Sequence, residues 1–198
     1  VSLTVTNLLR QARTGLLLLL AATLVLGVAY PLAVFAVGRL TPGRADGQLV
    51  SAGGAPVGSR LLGQAFTGDE WFHPRPSAAG DGYDPTASGA SNLGPESTDL
   101  LATVEERRAA VAAADGTDPA AVAPDALTAS GSGLDPDISP EYARQQVARV
   151  AQARGLSTAQ VDGLVAQHTA GRQLGFLGEP TVNVLALNLA LRDLAARG

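Results

Sequence analysis

Cysteine and lysine are both missing from the 198 residues. Without cysteine the chain has no disulfide staple, no thiolate metal site and no cysteine nucleophile. Without lysine it has neither a Schiff-base amine nor the phosphate-cradling lysine of a P-loop, and all 14 basic residues are arginine. Aromatics are scarce: one Trp, three Tyr and four Phe. That is too few for a base-stacking platform, and a net charge of -4 without clustered arginine argues against nucleic acid as a partner. The length suits one ordinary domain plus an appendage.

What the chain does have is a long greasy run. Leu16 to Val37 is 22 residues without a charge or a strongly polar group. As a helix it is roughly 33 Å long, matching a hydrocarbon core of about 30 Å. Signal-peptide cores run only about 7–15 residues, so the length favours an uncleaved single span. Tyr30-Pro31 lies past its midpoint. Proline lacks an N–H and crowds the Gly27 carbonyl, so a bend is expected there. Ala22, Ala29, Ala33 and Gly38 offer small surfaces for a neighbouring helix. Arg10 and Arg13 before the span balance Arg39 and Arg44 after it, so charge counting ties on orientation.

The expected division is a short segment 1–15, the span 16–37, a linker 38–56 and a soluble domain 57–198. Val57 to Phe66 is strand-prone, whereas Trp71 to Pro95 is so dense in turn formers that irregular structure is expected. Helices follow. Glu96 to Ala114 ends at Asp115-Gly116. Ser139-Pro140-Glu141 combines a hydroxyl N-cap, a proline at the first position and an acid in the first turn, opening a helix to Arg154 that stops at Gly155. Ser157 with Gln160 is a capping box for a helix ending near Gly171. Thr181 is expected to cap a last helix, Val182 to Ala196. Its apolar surface is broken only by Asn183, Asn188, Arg192 and Asp193. The fold class is therefore α+β: a membrane helix, an irregular strand-bearing half and a helical half.

Catalytic patterns are few. His73 and His168 have no partners at metal-ligand spacing. Asp135-Pro136-Asp137-Ile138-Ser139 resembles the opening of a calcium loop, but Pro140 and Gln146 stand where glycine and glutamate are needed. Ser130-Gly131-Ser132-Gly133 is not a nucleophile elbow. Pro74-Arg75-Pro76 sets an arginine on stiff, extended backbone, suited to an acidic or carbonyl-rich partner or to the domain's own backbone. From the residues alone, the chain reads as a membrane-anchored domain without catalytic or metal residues, a subunit of something larger. An anchored extracytoplasmic hydrolase using Ser132 or paired acids, or an anchored binding domain, is the alternative.

Seven stretches in order resemble the C subunit of the bacterial Kdp potassium-transporting ATPase. They are Tyr30-Pro31-Leu32, GSRLLGQAF (58–66), WFHPRPSAA (71–79), SGASNLGP (88–95), LTASGSGLDPDISP (127–140), QVARVAQARGL (146–156) and GEPTVNVLALNLAL (178–191). Two departures are Trp71, where tyrosine is usual, and Ala90, which replaces a glycine and so disfavours a left-handed backbone at that position. The resemblance implies an accessory subunit of a four-subunit pump. Its partners are a potassium-translocating, channel-like A subunit, a P-type ATPase B subunit and a small F subunit, together with membrane lipid. It implies a single pass through the cell membrane, with a cytoplasmic N-terminus and an extracytoplasmic domain. It also implies a role in assembly and a proposed catalytic chaperoning that raises the B subunit's affinity for ATP. The best match to the glutamine of the nucleotide-related segment is Gln146. The motifs supply Tyr30, Pro31, Arg75, Asn92 and Asn183 as candidates for partner contact.

Overall fold

From Leu16 onward leucine, valine and alanine dominate and leave the backbone few polar side chains to compete with, and the N-terminal segment forms one long helical rod. The computed structural model describes residues 2–196. Val1 and the last two residues of the expected 57–198 domain lie outside the described residues. The rod comprises α1 (Ser2–Leu24), a π-helical turn (Val25–Ala29) and α2 (Tyr30–Gly38). The helix Thr4–Gly38 has a mean hydropathy of 2.4 over its most apolar window and is long and apolar enough to cross a membrane. At 35 residues the helix is about 52 Å long, and it extends N-terminally beyond the apolar run that begins at Leu16. Pro31 does not end the helix. The turn before it widens, and the Tyr30 N–H reaches back five residues to the Val25 carbonyl. After the rod comes the single turn α3 (Pro42–Ala45), and the Arg39 guanidinium pairs with Asp46.

Residues 2–48 form one compact unit and residues 49–196 the other. The second opens with a hairpin, β1 (Leu49–Ala52) against β2 (Ala55–Ser59). Its two-residue loop is Gly53-Gly54, with φ of 61° and 84°, the left-handed pair that a tight primed turn requires. β1 thus lies inside the stretch expected to be linker. The strand-prone run from Val57 stops at Ser59, and Arg60 to Phe66 is irregular.

The helical half follows its punctuation closely. α4 (Thr98–Asp115) starts on the Ser97 hydroxyl and ends at left-handed Gly116. The Ser139 hydroxyl accepts the Tyr142 N–H at 2.9 Å and opens α5 (Pro140–Gln145). The expected continuous helix breaks at Gln146, and α6 (Val147–Arg154) then runs to left-handed Gly155. The capping box of α7 (Thr158–His168) is present in both directions.

The expected cap at Thr181 is not observed. Thr181–Asn183 is β5, the centre of a three-stranded antiparallel sheet between β3 (Asp137–Ile138) and β4 (Thr169–Ala170). Pairing on both edges holds this backbone extended, so α8 (Val184–Ala195) starts only when the Asn183 side chain accepts the Ala186 N–H at 3.1 Å. The core gathers Ile138, Tyr142, Val150, Val161, Val165, Val182, Leu187 and Leu191 from the sheet and helices, with Phe72 inserted from the irregular half.

Candidate functional site

Five consecutive residues of the irregular half, Asp69 to His73, have no strand or helix to satisfy their carbonyls. Buried backbone groups need partners, and here side chains supply them. Arg149 Nη1 donates to the Asp69 and Trp71 carbonyls at 2.8 and 3.0 Å, and Arg154 Nε to that of Glu70 at 2.8 Å. Asn188 clamps Phe72 in both directions: Oδ1 accepts its N–H and Nδ2 donates to its carbonyl, both at 2.9 Å. Gln146 does the same for His73, accepting at 2.7 Å and donating at 3.1 Å. Two buried amides thus imitate a strand beside Phe72-His73.

Charge ties the clamp together. Arg149 Nε meets Asp115 Oδ1 at 2.8 Å and Nη2 meets Gln146 Oε1 at 2.7 Å. The two ion-pair side chains are only 5% and 3% exposed. Gln145 Nε2 donates to the second oxygen of Asp115 at 2.8 Å. Arg154 also lies over the Trp71 ring, 4.1 Å from its centroid.

Further along, Arg75 Nη1 meets Asp135 at 2.9 Å and Nη2 the Thr128 carbonyl at 3.3 Å, while the Tyr83 hydroxyl donates to the Arg75 carbonyl. Burial pushes the Tyr83 phenol up to about 12, so it stays a donor at any physiological pH. Gly133 sits where a Cβ would strike Ala79 N and the Gly89 carbonyl, each at 2.6 Å, so the crossing of these loops requires glycine there.

Burial pulls the His73 imidazole below its ordinary value, outweighing the hydrogen bond to the Gly68 carbonyl, which acts the other way. A depressed histidine favours the fold above its unfolded value of about 6.5, and that contribution is lost as pH falls toward the folded value. Thermal unfolding of the detergent-solubilised chain at pH 7.5 and 5.5 is expected to show this loss. His73→Gln is expected to flatten the difference, and an unchanged slope would refute the assignment.

This arrangement holds segments 71–79, 127–140, 146–156 and 178–191 together as one unit. Residues 12–193 match the family model described as "KdpC: K+-transporting ATPase, c chain". The chain belongs to the KdpC family. It is 79% identical over 194 residues to the potassium-transporting ATPase KdpC subunit of Kineococcus radiotolerans, covering 98% of this chain and 99% of that protein. The subunit of the same name in Rhodospirillum rubrum is 53% identical over 187 residues, covering 94% and 97%. That of Mycobacterium tuberculosis is 52% identical over 184 residues, covering 92% and 97%.

Within this KdpC fold, the residues singled out from sequence fall in three places. Tyr30 and Pro31 lie on the apolar rod, with Tyr30 exposed. Asn92 is exposed at φ 53° and donates to the Ala90 carbonyl at 3.2 Å, so the left-handed residue of that loop lies two positions beyond Ala90. Gln146, Arg75 and Asn183 bond to other parts of the same unit, residues 49–196, in which Asn92 also lies. Arg75 and Asn183 meet one short segment, through Asp135 and Asp137 respectively, and Asn183 Nδ2 also donates to the Arg60 carbonyl at 3.1 Å. Asn188, Arg149 and Asp115 complete the clamp without having been singled out. Only Asn188 left a sequence signal, a polar residue interrupting an apolar helix face.

Proposed function

We propose that this chain is a non-catalytic accessory subunit of an ATP-driven potassium uptake pump. One membrane-crossing helix anchors it, with the N-terminus in the cytoplasm and the compact unit outside. It assembles with a potassium-translocating A subunit, an ATPase B subunit and a small F subunit, on whose chemistry it depends. The carrying observation is the near full-length match to proteins named as potassium-transporting ATPase KdpC subunits. The site geometry supports it: the clamp's charged and amide side chains bind the chain's own backbone and one another. Ser132, the nucleophile in one form of the hydrolase alternative, bonds Ser130 and the Leu134 N–H, neither of which is a base.

Gln146 is fully buried, with both amide atoms bonded to His73. In this proposal any rise in a partner's ATP affinity therefore runs through the surface that the clamp shapes rather than through the Gln146 side chain.

Deleting residues 1–38 from the co-expressed complex is expected to release the compact unit and abolish recovery of an intact pump. Recovery of a complete, fully active pump with the truncated chain would overturn the anchoring role.

A further inference from the structure

Between β4 and β5 the chain makes a short excursion that closes on itself. Gln173 and Leu177 exchange both backbone hydrogen bonds at 2.9 Å, and the Gly175 and Phe176 N–H groups bond back to Arg172 and Gln173. Arg172 braces the base through the Gly178 carbonyl at 2.6 Å and an ion pair with Glu179. This stiff knuckle points its apolar side chains outward: Leu174 is 83% exposed, Phe176 69% and Leu177 48%. Leu174 also sits at φ 52°, a left-handed conformation that leucine rarely adopts. A self-braced turn that holds a leucine in disfavoured backbone to display three large apolar groups is a rigid anchor in need of a socket.

The surroundings say what kind of socket. Glu179, at the knuckle's base, also lines a groove with Asp125, Asp135, Asp137 and Glu141, where Arg75 is the one cation among the lining residues. Residues 49–198 hold 17 of the 18 acidic residues and 10 of the 14 arginines. An anionic lipid surface is repelled by such a rim, and the knuckle has neither a tryptophan nor a tyrosine to seat in a headgroup layer. A protein surface with an apolar cleft bordered by basic side chains is complementary in both respects.

We propose that the Leu174–Leu177 knuckle is a docking anchor that inserts into an apolar, basic-rimmed cleft of a partner subunit. The inference rests on the accessory-subunit reading above and names the contact through which the compact unit engages its partner.

The test uses the full-length chain co-expressed with its pump subunits. A photo-crosslinking amino acid at Leu174 is expected to capture one of those subunits. The exposed double substitution Leu174→Ser/Phe176→Ser is expected to leave thermal unfolding unchanged but to raise at least ten-fold the rate at which the solubilised complex loses this chain. Capture of lipid alone, capture of a second copy of this chain, or no capture from a complex that still co-purifies would overturn the knuckle while leaving the accessory reading intact. Unchanged dissociation by the double variant would do the same. Failure of the wild-type chain to co-purify with any pump subunit would overturn both.

Discussion

Arg149→Met is expected to lower the stability of the compact unit by about 3–5 kcal/mol, the usual loss when one member of a buried ion pair is removed. The guanidinium makes four hydrogen bonds, to Asp115, the Asp69 and Trp71 carbonyls and the Gln146 amide oxygen. Removing it leaves the Asp115 carboxylate 3% exposed with Gln145 as its remaining side-chain donor. Two loop carbonyls lose their donor at the same time. The double variant Asp115→Leu/Arg149→Met is expected to be more stable than Arg149→Met alone, because it deletes the stranded charge and leaves only neutral groups, the two carbonyls and the half-buried Gln145 amide, without those partners. Chemical denaturation of the detergent-solubilised chain reads both values. By contrast, Arg192→Ala breaks a pair whose side chains are 45% and 55% exposed, and its expected cost is below about 1 kcal/mol. A cost for Arg149→Met as small as that of Arg192→Ala would remove the clamp as the support of the irregular half.

The parts of this fold that sequence displays are those written in neighbouring residues. Ser139-Pro140-Glu141 and Gly155 mark where a helix starts and stops because caps and left-handed stops are local devices, and both are where expected. Ser157 with Gln160 is read from a spacing of three. The apolar run from Leu16 is legible for the same reason, since nothing distant is needed to make it greasy. The misread elements depend on partners far along the chain. Thr181 looks like a cap until β3 and β4 pair with it on both sides. Leu49–Ala52 is the exception: its partner β2 follows directly in the chain, and Gly53-Gly54 is a hairpin signal in plain view. The clamp is the extreme case. Gln146 meets a residue 73 positions away and Asn188 one 116 positions away, and no periodicity encodes such distances. What marks them in sequence is only that an amide stands on a helix face otherwise bound for the core.

Asn188→Asp is expected to destabilise the compact unit by about 3–5 kcal/mol at neutral pH, and to do so in a way that acid reverses. The substitution keeps the shape but replaces the Nδ2 donor to the Phe72 carbonyl with an oxygen. An ionised carboxylate there faces a carbonyl in a side chain that is almost fully buried, where an unpaired charge is costly. The carboxyl's folded value is therefore raised above the ordinary one, and the penalty is present at neutral pH and shrinks as pH falls through the folded value. A protonated carboxyl has one donor and one acceptor, the same pair that the amide offers Phe72, so the clamp re-forms in acid. Gln146→Glu makes the informative contrast. Its new carboxylate lies beside Arg149 Nη2, which is already 2.7 Å from Oε1, so it shares with Asp115 a guanidinium that offsets part of its charge, while the bond to the His73 carbonyl is lost. Its expected cost is about 1–3 kcal/mol, smaller than that of Asn188→Asp at pH 7 and without the recovery in acid. Denaturation curves of the two variants at pH 7 and pH 4.5 therefore cross-check each other. Equal losses at both pH values would mean that the amides merely fill space, and that the Phe72-His73 backbone finds its partners elsewhere.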